Sequence, residues 1–128
     1  MSTTEIREDS ALYKTNVENY EKCKHTLKTL IDNNVKTIIL LGTGANGKSY
    51  LLNDMRNYIE ANDYMCYHES PGLYDSSSDF QKYFSLLPEK KVICYNFNPY
   101  LKHNMEKPDD VVIIDMECIQ FRCYGKMP

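Results

Sequence analysis

Tryptophan is absent from this chain of 128 residues, and arginine occurs only at Arg7, Arg56 and Arg122. Net charge is −3, so no overall basic field draws in nucleic acid or an anionic membrane. A basic stripe with interleaved aromatics, as single-strand binding requires, is missing too; the eleven tyrosines scatter at core spacing. No apolar run approaches the length of a membrane-spanning helix. The opening "MSTTEIREDS" is polar and acidic, unlike a secretory signal, which predicts a cytoplasmic location (host cytoplasm or virion if the source is viral). No repeat or low-complexity tract occurs.

The five cysteines form no CxxC, and their number is odd. Cys66 and Cys94 fall in strand-like stretches, which predicts reduced, buried thiols and no disulfide framework. Cys118 and Cys123 would make half a zinc site, but no second pair matches them. Asn, Lys, Tyr and Ile are plentiful, a bias that suits an AT-rich genome and says nothing about chemistry.

Residues 4–33 contain neither Gly nor Pro, and Tyr13, Val17, Tyr20, Leu27, Leu30 and Ile31 recur mostly three, four or seven apart. That spacing predicts an amphipathic helix, ended by "DNN" at 32–34. "VKTIILLG" (35–42) and "VVIID" (111–115) are β-branched and nearly all apolar, the pattern of strands buried on both faces of a parallel sheet. "DYMCYHE" (63–69) and "KKVICYNFN" (90–98) read as two further strands, and "CIQFRCY" (118–124) as a last edge strand. Between them "GKSYLLNDMRNYIEAN" (47–62) has helical period. "FQKYFSLL" reads as a short helix capped by Ser78 or Asp79 and stopped by Pro88. Alternating strands and helices predict an α/β fold with a short, mostly parallel sheet of four to five strands. Residues 1–34 are assigned to an N-terminal amphipathic helix, which could lie outside the sheet core. Residues 35–128 are assigned to the domain that holds the sheet.

The chemistry concentrates in "LGTGANGKSY". Gly42, Gly47, Lys48 and Ser49 satisfy G-x-x-x-x-G-K-[ST] in full. Glycines let the backbone curl so that its N–H groups face phosphate oxygens. Lys48 would reach the outer phosphates, the Ser49 hydroxyl would ligate Mg²⁺, and the following helix would add its positive end. The expected cradle comprises Gly42, Thr43, Gly44, Ala45, Asn46, Gly47, Lys48, Ser49 and Tyr50. ATP, or another NTP, with Mg²⁺ is the expected ligand. Asp115, closing an apolar strand, is the candidate second metal group. Glu117, two residues on and so on the same side of an extended chain, is the candidate for polarising the attacking water. His68 borders this region; His25 and His103 read as bystanders.

"GTGANGKSYLL" resembles the Walker A segment of viral superfamily 3 helicases, particularly poxvirus-type and phage or plasmid primase-helicases, whose loop runs G-x-G-x-N-G-K-S. Gly42, Gly44, Asn46, Gly47, Lys48 and Ser49 fit. The resemblance is strong over about a dozen residues and loose elsewhere. It implies a three-layer, P-loop-NTPase-like fold, with residues 35–128 as a reduced nucleotide-binding domain, and an acidic strand followed by a strand ending in a sensor Asn. "KVICYNFNP" (91–99) resembles the latter, with Asn96 or Asn98 as sensor, and Glu69 then competes with Asp115 as the metal acid. It also implies an arginine acting in trans, for which Arg122 is the candidate, and basic channel loops, which this chain lacks. The leading expectation is therefore a small NTP-binding protein with slow hydrolysis, not an autonomous helicase. Two alternatives stand beside it. One is a nucleoside or nucleotide kinase, with its acceptor loop at "HESPGLYDSSSDF" and Glu69 taking a hydroxyl proton. The other is a non-catalytic assembly protein, docking or forming homo-oligomers through the N-terminal helix.

Overall fold

The structure, a computed structural model, describes residues 11–42, 47–68, 76–117 and 119. Four strands, β1 (Thr37–Leu41), β2 (Met65–His68), β3 (Lys91–Tyr95) and β4 (Val111–Asp115), form one sheet in the order β2-β3-β1-β4. Every pairing is parallel. The two central strands carry the burial: β3 is buried throughout and β1 at four of its five residues. A strand covered on both faces and paired on both edges has no solvent side, hence the unbroken apolar runs. The outer β2 shows the reverse. Its Met65 is 49% exposed, and the strand starts at Met65 and not at the expected residue 63 because Asp63 takes a left-handed turn (φ 66°) after the preceding helix. The expected strand at 118–124 lies outside the described residues except for Ile119, which closes a turn by donating its N–H to the Met116 carbonyl (3.0 Å).

Neighbouring strand residues point to opposite faces, and the helices divide accordingly. On one face α1 (Ala11–Asp32) and α2 (Lys48–Ala61) bury Tyr20, Leu27, Ile31, Leu51 and Ile59 against Ile38, Leu40, Val92, Cys94 and Ile114. On the other, α3 (Ser77–Ser85) and α4 (Pro99–Lys102) bury Phe80 and Tyr100 against Ile39, Ile93, Tyr95 and Val111. The result is an α/β fold with helices on both faces of an all-parallel sheet.

Local signals set the helix ends. Asn34 adopts φ 58°, and Val35 N–H returns to the Leu30 carbonyl (3.0 Å), so "DNN" stops α1 as its turn chemistry predicts. The cap of α3 is Ser76, whose hydroxyl accepts from the Asp79 N–H (3.1 Å); Ser78 and Asp79 lie inside the first turn instead. Three successive serines offer competing caps, and the one that places Phe80 inward prevails.

The described part of the N-terminal helix does not lie outside the core. Its apolar stripe shares one continuous cluster with α2 and the sheet. A stripe of alternating Tyr, Cys, Leu and Ile is too apolar to leave in water, and the sheet face beside α2 is wide enough to take it. None of the helices among the described residues is long and apolar enough to cross a membrane.

Candidate functional site

The glycine-rich loop leaves β1 where three strands end level. Leu41 is in register with Tyr95 of β3 and with Asp115 of β4. The Gly42 N–H donates to the Tyr95 carbonyl (3.1 Å), and the Met116 N–H donates to the Leu41 carbonyl (2.7 Å). Both neighbours therefore grip the point at which the chain departs. Thr43, Gly44, Ala45 and Asn46 lie outside the described residues.

The loop re-enters at Gly47, which caps α2 with φ 84° and ψ 11°. A Cβ there would crowd the following carbonyl at a cost of roughly 1–2 kcal/mol, so glycine is favoured. The Leu51 N–H donates to the Gly47 carbonyl (2.8 Å) and opens the helix. In any α-helix the N–H groups of the first turn point away from the helix body, here toward the loop. No acidic residue occupies that turn, so nothing on the helix itself offsets its positive end. Lys48 is 8% exposed, and its Nζ donates to the Gly42 carbonyl, closing the loop's two ends on each other. Ser49 and Tyr50 are exposed.

Strand order puts a crevice here. From β1 the chain passes to α2 on one face, while from the adjacent β3 it passes to α4 on the other. Diverging connections leave a cleft at the carboxyl ends of the strands, the usual ligand position in open α/β sheets.

Asp115 is exposed at the carboxyl end of β4, level with Leu41 and on the edge of β1 opposite β3, and its Oδ1 accepts the Glu117 N–H (2.9 Å). The strand ends at Asp115 and the chain turns. The two-residue alternation used to place Glu117 beside Asp115 therefore does not extend to it, although Glu117 is exposed just beyond the same strand end. Asn96 follows β3 directly and is exposed. Asn98 is committed elsewhere. Its side-chain oxygen accepts from the N–H groups of Tyr100 (3.0 Å) and Leu101 (3.3 Å), capping α4 with Pro99 at the first helical position. Glu69 and the acceptor loop expected of a kinase lie outside the described residues, apart from the loop's two ends. So do Arg7, Arg122, Cys118 and Cys123. The strand leading to Glu69 is β2, separated from β1 by β3, about 10 Å at ordinary strand spacing. His25 and His68 are exposed, and His103 stacks on Phe80 (5.6 Å).

Sequence reasoning misses a brace behind the loop. Tyr20 of α1 donates its hydroxyl to Asp54 of α2 (2.9 Å), and Lys24 pairs with the same carboxylate oxygen (2.9 Å). Tyr50, next to Ser49, packs edge-on against the Tyr20 ring at 5.5 Å. Hydrogen bonds from Lys24 and then Tyr20 hold the Asp54 carboxyl below the usual carboxylate range. Burial, then the hydrogen bond to Asp54, pushes the Tyr20 hydroxyl up. The signal is present as apolar and charged residues three to four apart on two helices, but spacing within a helix does not reveal its partner.

Arg56, the arginine among the described residues, lies along α2, bonded to Asn53 (3.3 Å) and Glu60 (3.6 Å). Among the described residues no group of three or more His, Cys, Asp or Glu side chains is gathered to hold a metal. Comparison with protein-family models, curated proteins and solved structures returned no match to the chain.

Proposed function

We propose that the chain is a nucleotide-binding protein of the P-loop type. The Gly42–Ser49 loop holds the phosphates of ATP or another NTP, and turnover is slow. The observation that carries this reading is the complete G-x-x-x-x-G-K-S spacing set between the carboxyl end of a buried central strand and the open N-terminus of α2, with Gly47 in a conformation that favours glycine. The residues fit the group. On binding, Lys48 exchanges the Gly42 carbonyl for phosphate oxygens, an ordinary carbonyl contact for a charge-assisted one. Ser49 and Asp115 supply one hydroxyl and one carboxylate for Mg²⁺, which keeps most of its shell as water and phosphate oxygen. Asp115 is preferred to Glu69 because its strand adjoins β1. Bound Mg²⁺ and the loop would neutralise charge on the transferring phosphoryl group. Slow turnover follows from arginine scarcity: Arg56 is committed along its own helix.

Docking through the N-terminal helix has less support, since the apolar stripe of α1 is covered by its own sheet.

Thermal melting with and without ATP–Mg²⁺ tests the reading. Ligand at a hundredfold excess over Kd stabilises a native state by ~2.7 kcal/mol, a shift of several degrees. Wild type should show it and Lys48→Ala should lose it while melting normally alone. No shift in wild type, or an equal shift in both, refutes the cradle. Asp115→Asn should lose the Mg²⁺-dependent part; loss of that part in Glu69→Gln instead would move the metal to the β2 side.

A further inference from the structure

At the opposite end of the sheet a cavity of about 540 Å³ opens beneath α3 and α4, against the first residues of β1, β3 and β4. That volume falls within the range of about 300–1,000 Å³ typical of small-molecule sites. Its walls are mostly apolar, with Phe80, Phe84, Tyr100 and Met105 prominent. Phe80 and Tyr100 meet edge to face (5.4 Å) and are buried, so they form an aromatic floor, and the half-buried Phe84, Leu87 and Met105 line the slot above it.

Four charged residues line the cavity: Lys36 and Glu89, which pair with each other, Asp110, and the buried Lys91. Lys91 begins β3 and is only 5% exposed. Its Nζ donates to the Pro88 carbonyl (3.0 Å) and sits 4.6 Å from the centre of the Phe84 ring. An ammonium has three donors, and none of the ion pairs among the described residues includes Lys91. Buried charges are normally paired. The nearest candidates are otherwise placed: Glu89 is held by Lys36, and Asp110 is exposed at the mouth.

We propose that this cavity is a second ligand site, separate from the glycine-rich loop, for a small aromatic monoanion. A carboxylate or sulfonate meets Lys91, and the ring packs in the slot lined by Phe84, Leu87 and Met105. The charge count selects the class. With Lys36 and Glu89 paired to each other, a single anionic group meets the buried charge of Lys91, whereas the exposed Asp110 at the mouth repels a multiply charged ligand such as a nucleotide. An apolar neutral molecule fills the slot but leaves the ammonium unpaired.

Fluorescence titration of the full chain with anilinonaphthalene sulfonate tests this, with uncharged phenylnaphthylamine as the matched control. Wild type, shown first to melt cooperatively, should bind the sulfonate at one saturable site. Lys91→Met should weaken the sulfonate about tenfold or more, the scale of one lost charge-assisted contact, and leave the amine unchanged. Met105→Trp, which fills the slot without touching the charge, should abolish both. ATP–Mg²⁺ and Lys48→Ala should leave sulfonate binding unaltered, so failure of the nucleotide reading and failure of this one are separable. Absence of saturable binding, equal sulfonate affinity in wild type and Lys91→Met, or displacement by ATP–Mg²⁺ would overturn the assignment.

Discussion

The two faces of the sheet are built differently. One is roofed by helices of 22 and 14 residues, whose apolar stripes merge with the strands into a continuous core. The other is roofed by helices of 9 and 4 residues, which leave a cavity of about 540 Å³ and a buried lysine. The glycine-rich loop belongs to the first face, since it runs directly into α2. A phosphate cradle must hold its N–H groups still, and α2 is fixed by Leu51, Leu52, Met55 and Ile59 beneath it and by α1 beside it. The thinner face has no such demand, and it retains open space. Stability and the proposed phosphate site thus share one side, and open volume lies on the other.

The sharpest way to break this contrast is to truncate leucines on both faces. Leu27 and Leu51 are fully buried between α1, α2 and the sheet. Replacing either by Ala should cost about 2–5 kcal/mol, through lost burial and a cavity that rigid neighbours do not refill. Leu87 is half-buried and lines an existing cavity, so Leu87→Ala should cost under ~1 kcal/mol. Urea unfolding of the three variants reads this directly. Equal losses on the two faces would mean that the short helices carry as much of the fold as the long ones.

A smaller effect tests how α1 is fastened to α2. Asp54→Asn removes the charge that Lys24 and Tyr20 share. The pair is about a third exposed, so after solvent screening the loss should not exceed ~1 kcal/mol. Its pH dependence is more telling than its size. The folded carboxyl titrates below its usual range, so its contribution is present above the unfolded pKa and is lost as pH falls through the folded one. The gap between wild type and Asp54→Asn should therefore close on acidification. A gap that persists in acid would show that Asp54 acts through packing, not charge.

The same contrast governs what can be read from the sequence. β1 is legible because a doubly covered strand needs an unbroken apolar run like "TIILL"; "VVIID" reads as a strand for the same reason, although β4 lies at the sheet edge with only Val111 and Ile114 buried. The loop is legible because its motif is contained in eight consecutive residues. What depends on contacts between distant segments is not. The stripe of α1 shows that it is buried, but not that it is buried beside α2. "VVIID" marks an acid at a strand end; only the register with Leu41 brings that acid level with the loop. Asn98 reads as a sensor candidate although Asn-Pro is an equally local helix-start signal, and the capping bonds decide for the second. Lys91 is invisible as a buried group because a lysine opening a strand reads as a solvated end. Its burial comes from a different element, α3, whose Phe84 ring folds back over the ammonium.

The smallest predicted effect concerns that lysine and sharpens the picture of the thinner face. Burial lowers the Lys91 pKa, with Asp110 and then Glu89 opposing the shift. A lysine whose folded pKa is depressed destabilises the fold fully below that pKa, and the penalty fades as pH rises from there toward the unfolded value, because the unfolded chain then binds more protons. Lys91→Met removes the charge and keeps an apolar stem of similar length, so at neutral pH it should be neutral or stabilising by roughly 0.5 kcal/mol. Urea unfolding of both proteins from neutral to alkaline pH should show that advantage shrinking as wild type sheds the buried proton. All other titrating groups are common to the pair, so the difference isolates Lys91. If Lys91→Met is instead destabilised by more than ~1 kcal/mol at neutral pH, the ammonium is a structural anchor for the Pro88 carbonyl and the Phe84 ring, and the thinner face is held together by the very group that would meet a ligand.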